Sequence, residues 1–122
     1  MPSRRSVFIL EDEPLIAAML EELVEELGAE VVGPACSLDR ARQLLEAKEI
    51  DFAILDINIE GETSYPIAED LRRRGAPFLF TTGYDAGEID GRFGCPVIIK
   101  PFDPSFLQGI VAGQLGLPMP RG

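Results

Sequence analysis

Five short apolar runs alternate along the chain with longer stretches in which apolar residues recur every three or four positions. The runs are Ser6 to Leu10 (SVFIL), Glu30 to Pro34 (EVVGP), Phe52 to Leu55 (FAIL), Pro77 to Thr81 (PFLFT) and Pro96 to Ile99 (PVII). Their length and β-branched or aromatic content predict strands. Between them the period changes. Pro14 suits a first helical position, and Leu15, Ile16, Met19, Leu20, Leu23, Val24 and Leu27 then repeat at helical spacing up to a stop at Gly28. Glu21, Glu22, Glu25 and Glu26 form the opposite, wet face. Ser37 or Asp39 can cap a second helix through Leu44, Leu45 and Ala47. Ser64 can cap a third, carrying Ile67, Ala68 and Leu71 and stopping at Gly75. Arg72, Arg73 and Arg74 fall in its last turn, where cations favour the helix dipole. The stretch YDAGEIDGRFGC, residues 84–95, has three glycines and few apolar anchors, so a fourth helix there is short or degenerate. A last helix starts near Asp103 and Pro104 and carries Phe106, Leu107, Ile110, Val111 and Leu115. Gly109 and Gly113 weaken it by roughly 1 kcal/mol each relative to alanine.

Strict alternation of strand and helix predicts an α/β domain, and strands apolar throughout predict a sheet covered by helices on both faces. The 122 residues suit a single domain over 1–122 with its core at about 5–116, and the tail LPMPRG leaves no room for an output domain. Hydrophobic residues make up 46%, enough for a sizeable core. The formal net charge of -10 argues against nucleic acid and anionic membrane surfaces as partners. It favours a partner with a basic docking face, or a bound divalent cation. The start, MPSRRSVFIL, is cut short as a signal peptide by Glu11, Asp12 and Glu13, and no apolar run approaches the ~20 residues that span a bilayer. A cytoplasmic location is expected. Cys36 and Cys95 form no CxxC pair and are expected to be small apolar fillers. The absence of histidine removes histidine triads, histidine metal sites and a histidine phosphodonor role.

In open parallel sheets, ligands bind at the carboxyl ends of the strands. Here the first strand runs out into Glu11, Asp12 and Glu13, the third into Asp56, the fourth into Thr81 and Thr82, and the fifth into Lys100. All these polar ends fall on one rim. Clustered carboxylates repel unless a cation intervenes, and oxygen-only ligands favour a hard ion such as Mg2+. A lysine and a hydroxyl opposite complete a phosphoryl-sized socket, and the remaining acid can serve as a nucleophile. Other phosphate sites fit badly, because the chain has no GxxxxGK[ST] loop and no GxGxxG after the first strand.

In these residues the sequence resembles the receiver domain of bacterial two-component response regulators: Glu11-Asp12, Asp56, Thr82-Gly83 and Lys100-Pro101-Phe102, each at its strand end. The resemblance implies a flavodoxin-like fold with a five-stranded parallel sheet of order 2-1-3-4-5. It implies that Asp56 accepts a phosphoryl group from a histidine kinase or histidine phosphotransfer protein. Asp12 would bind Mg2+ directly, Glu11 through water, and Asn58 through its backbone carbonyl. Lys100 would neutralise the phosphoryl group, and Thr82, followed by the small Gly83, would be the switch hydroxyl acting toward a downstream protein target. Receivers commonly carry Tyr or Phe three residues before the lysine, where this chain has Val97. The stretch FTTGY, residues 80–84, is similar to the Phe-Ala-Thr-Gly-Tyr-like signature of a class of stand-alone receivers that lack this aromatic. Tyr84 is a candidate shield of the phosphoryl group against water. Two other readings remain: a docking module that never turns over phosphate, and a Mg2+-dependent phosphohydrolase with an aspartate nucleophile. Phosphohydrolases of this type usually carry a DxD motif after the first strand, which is missing here.

Overall fold

The computed structural model describes residues 4–83 and 93–120. In chain order the elements are β1 (Ser6–Leu10), α1 (Pro14–Glu26), β2 (Glu30–Ala35), α2 (Leu38–Ala47), β3 (Phe52–Asp56), β4 (Asn58–Ile59), β5 (Glu62–Thr63), α3 (Tyr65–Arg73), β6 (Phe78–Thr82), β7 (Val97–Ile99) and α4 (Pro104–Leu115). The main sheet has the order β2-β1-β3-β6-β7, with every pairing parallel. Among its own strands that is the expected 2-1-3-4-5. The predicted short fourth helix and Tyr84 fall within 84–95, and of that stretch residues 84–92 lie outside the described residues.

Alternation along each strand divides the core in two. Phe8, Leu10, Ala53, Leu55, Phe78 and Phe80 face α2 and α3, where Leu38, Ala41, Leu45, Ile67 and Leu71 meet them. Val7, Ile9, Phe52, Ile54, Leu79 and Ile98 face α1 and α4, against Leu20, Val24, Leu107, Val111 and Leu115. On the first face Tyr65, Phe78, Phe80 and Phe93 form an aromatic cluster with ring centroids 5.4 to 5.9 Å apart, mostly edge to face. Val97, standing where receivers commonly have an aromatic ring, packs against this same core.

Local chemistry sets the helix ends. Pro14 opens α1, Ser37 accepts from the Arg40 N–H at the start of α2, and Asp103 accepts from the Ser105 N–H at the start of α4. Gly116, at φ 68°, closes α4 in the left-handed region. Gln108 of α4 is buried and donates to the Leu23 carbonyl and to Glu26, clamping α4 on the end of α1. Arg74 donates to the Leu45 carbonyl and pairs with Asp70 at 3.1 Å, so it ties α3 to α2 as well as favouring the helix dipole.

Several expectations need correction. Ser64 precedes α3 without a side-chain cap; its hydroxyl is buried and has no hydrogen-bond partner. Leu15 and Phe106, counted on apolar stripes, are 87% and 61% exposed. Each lies in the first turn of its helix, at the end that meets the carboxyl rim of the sheet. Cys36 is exposed rather than a core filler, and the half-buried Cys95 thiol is pushed up to about 11 by burial. The third and fourth strands run one residue further than their apolar runs, taking in Asp56 and Thr82.

The β1–β2 pairing contains a bulge. Phe8 pairs with Val32 and Leu10 with Ala35, leaving Gly33 and Pro34 opposite Ile9. The Gly33–Pro34 peptide is cis and Gly33 has φ 105°. A Cβ on Gly33 would lie 2.9 Å from the Ile9 carbonyl oxygen and 2.8 Å from the Ala35 nitrogen. Just past the bulge, the Glu11 N–H donates to the Ala35 carbonyl at 2.9 Å, so the bulge fixes the chain where the acidic rim begins. Gly33→Ala combines a disfavoured φ with a backbone clash and is expected to lose about 2–3 kcal/mol in urea denaturation. A loss under about 0.5 kcal/mol, the usual range for a neutral surface change, would show that the bulge adapts freely.

Candidate functional site

Four loops converge at the carboxyl ends of the strands around an open pocket of 660 Å³. It is lined by Asp12, Glu13 and Pro14 after β1, Asp56 and Asn58 after β3, Glu60 and Gly61 of the small hairpin, Gly83 after β6, and Lys100 after β7. Of the residues read from the sequence, Asp12, Asp56, Asn58 and Lys100 therefore share one cavity.

The remaining two stand behind it. Glu11 is buried, and Thr82, the last residue of β6, is also buried while its carbonyl accepts the Lys100 N–H at 2.7 Å. The Lys100–Pro101 peptide after it is cis. Lys100 Nζ lies 2.8 Å from Glu11 Oε1 and 3.1 Å from Asp56 Oδ2. The Glu11 contact is an ion pair without good hydrogen-bond alignment, so charge rather than direction compensates Oε1. Glu11 Oε2 accepts from the Glu13 N–H at 3.0 Å, and Asp56 Oδ1 accepts from the Asn58 N–H at 3.3 Å.

Glu11, Asp12 and Asp56 can each place one carboxylate oxygen within 4.8 Å of the others. Burial is the main reason the Glu11 carboxyl lies above its ordinary value, and the charge of Asp56 adds to it. Lys100 and the Glu13 N–H oppose the rise without cancelling it. Burial pulls the Lys100 ammonium down, but its close contact with Glu11 and the charges of Asp56 and Glu11 outweigh that, and its pKa lies above the ordinary value. The donor set is oxygen only, which fits a hard divalent cation rather than a thiolate- or imidazole-seeking one.

The sequence did not disclose the small hairpin. Asn58 pairs with Thr63 and Ile59 with Glu62, so Glu60 and Gly61 form a two-residue loop. Both have positive φ, 52° and 82°, as in a type I′ turn. The Glu60 N–H thereby reaches Asp12 Oδ2 at 2.9 Å. The Glu-Gly dipeptide was the available signal, weaker than Asn-Gly or Asp-Gly because glutamate rarely adopts this conformation.

The family model described as the response regulator receiver domain matches residues 7–111. The chain belongs to this family. Receivers are signalling modules of two-component systems rather than metabolic enzymes. The solution structure of SdrG from Sphingomonas melonis Fr1 is similar at 41% identity and a TM-score of 0.80, covering 94% of this chain and 99% of that one. The BeF3-activated conformation of SdrG from Pseudomonas melonis Fr1 matches with a TM-score of 0.76, at the same identity and coverage. The phyllosphere-induced regulator PhyR of Methylorubrum extorquens is 33% identical over 114 residues, 89% of this chain. The chain spans 43% of the length of PhyR. Among the described residues, no helix is long and apolar enough to cross a membrane.

Lys100→Met removes the counter-charge from buried Glu11, and the metal-free receiver is expected to lose about 3 kcal/mol near pH 8. With its folded value raised, Glu11 adds stability that is full below the ordinary glutamate value. That stability is lost as pH rises through the raised folded value. The deficit of the variant should therefore shrink as pH falls through that raised value, when Glu11 takes up a proton. Urea denaturation at both ends of the range checks this; a deficit that ignores pH would separate Lys100 from Glu11.

Proposed function

We propose that this receiver accepts a phosphoryl group on Asp56 from a phosphohistidine and uses the modified state as a signal. The observation that carries the reading is the Lys100 ammonium, held 3.1 Å from Asp56 Oδ2 at the back of an open acidic pocket. A nucleophilic carboxylate needs a fixed cation beside it to hold a phosphoryl oxygen as charge moves between donor and acceptor. Asp12 and Asp56, with the Asn58 main-chain carbonyl and with Glu11 acting through water, would hold a Mg2+ ion. When bound, such an ion neutralises carboxylate charge and orients the phosphoryl group.

The protein's own part is positional. The Asn58 N–H and Lys100 each engage one oxygen of Asp56 and fix the carboxylate plane. A carboxylate oxygen forms the new O–P bond while the P–N bond of the donor breaks and its imidazole leaves, taking a proton from solvent. The product is an acyl phosphate with Lys100 against a phosphoryl oxygen. Thr82, at the end of β6, supplies the hydroxyl that follows the new anion and biases a two-state equilibrium. None of the 122 residues is histidine, so the donor histidine lies outside them, on a kinase or phosphotransfer protein. The net charge of -10 suits a donor with a basic docking face and not nucleic acid. A cytoplasmic module of about residues 5–116, passing its state to a protein target, fits this chemistry. The BeF3-activated state of SdrG supports the reading, since trifluoroberyllate has the shape and charge of a phosphoryl group.

Incubation with a small acyl phosphate and Mg2+ tests it. Stoichiometric labelling of the wild type and none of Asp56→Asn is expected, with labelling abolished by a chelator. No label in either protein would favour a docking module, and repeated turnover of external phosphoesters would favour a hydrolase.

A further inference from the structure

Thr81 Oγ1 is fully buried and has no hydrogen-bond partner. Leaving a hydroxyl in that state is unfavourable, whereas valine would fill the same volume without the penalty. The register shows what surrounds it. Thr81 is the direct partner of Asp56 on β3 and of Ile98 on β7. It alternates in phase with Leu79, and Asp56 alternates with Phe52 and Ile54; these apolar residues all belong to the core beneath α1 and α4. Lys100 follows Ile98 by two residues, and its N–H extends the ladder to the Thr82 carbonyl. Thr81, Asp56 and Lys100 therefore share one face, while Thr82 points to the other.

Strand order sharpens the point. Lys100 is rooted after β7 but reaches Asp56 on β3 and Glu11 after β1, and β6 lies between. Its side chain must cross the line of β6. It starts at the level of Gly83, which has no side chain, and ends at the level of Asp56, where the β6 residue on that face is Thr81. The ammonium has three N–H donors, and the structure gives it one hydrogen bond, to Asp56 Oδ2, beside its ion pair with Glu11 Oε1.

We propose that Thr81 is a positioning residue for Lys100: its methyl supports the lysine stem, and its hydroxyl accepts an ammonium N–H when an anion occupies the pocket. The idea rests on the phosphoryl-acceptor reading above. An anion on Asp56 draws the ammonium outward from Glu11, and a neutral acceptor beneath the stem holds it in the new position. The hydroxyl without a partner in the free protein is thus a bond kept for the loaded state.

The test titrates trifluoroberyllate with Mg2+ into wild type, Thr81→Val and Thr81→Ser, followed by backbone amide NMR shifts, with urea denaturation of each free protein. Thr81→Val is expected to bind about three- to ten-fold more weakly, the range of one hydrogen bond, while the free variant resists urea better than wild type. Thr81→Ser should bind within about two-fold of wild type. A purely structural threonine would not move stability and affinity in opposite directions. Thr81→Val binding as tightly as wild type, or Thr81→Ser as weak as Thr81→Val, overturns the proposal. If the wild type itself takes up no trifluoroberyllate, the phosphoryl-acceptor reading fails and Thr81's role falls with it.

Discussion

The ammonium of Lys100, set between Glu11 and Asp56, is the constraint around which this receiver is built. Carboxylates brought together at the edge of a core raise one another's free energy unless a cation stands among them. Among the described residues lining the pocket, Lys100 is the one cation, facing Asp12, Glu13, Asp56 and Glu60. The remaining architecture serves its reach. The sheet order sets β7 two strands from β3, so the lysine is extended across β6. The bulge at Gly33 and Pro34 and the bond from Glu11 to Ala35 fix the far end of that reach.

The two faces of the sheet carry different parts of the site. Toward α1 and α4 lie Glu11, Asp56, Thr81 and Lys100, a polar layer over a mainly aliphatic core. Toward α2 and α3 lies the aromatic cluster of Tyr65, Phe78, Phe80 and Phe93, with Thr82 next along the same face of β6. Adjacent threonines thus look in opposite directions from the end of one strand, which makes β6 the natural connection between the charge layer and the rings. Phe93 gives this face an aromatic group although Val97 occupies the position where receivers commonly have one.

Much of this was legible in the sequence because burial on both faces of a parallel sheet leaves unbroken apolar runs, and the polar residue ending each run marks the rim. Asp12, Asp56 and Lys100 were found that way and Asn58 through the family resemblance, and the structure gathers all four in one pocket. The hairpin at Asn58–Thr63 was not, since two-residue strands are too short to show a period. Leu15 and Phe106 matched the helical period, but that period does not reveal where a helix extends past the sheet that covers it. Which threonine faces the lysine depends on strand phase, and a one-residue shift in phase exchanges Thr81 and Thr82. Glu11 was read as an outer ligand; its pairing with Lys100 needed the strand order in three dimensions.

The hydrogen bond from Glu60 to Asp12 joins residues 48 apart in sequence, and that from Lys100 to Asp56 residues 44 apart. Contacts of such separation form only after long stretches of chain have been closed, so they arise late in folding and vanish together when the sheet opens. No single βα unit contains the site, and a partly assembled or clipped chain has carboxylates but not their arrangement. The charge network therefore doubles as a certificate of completeness.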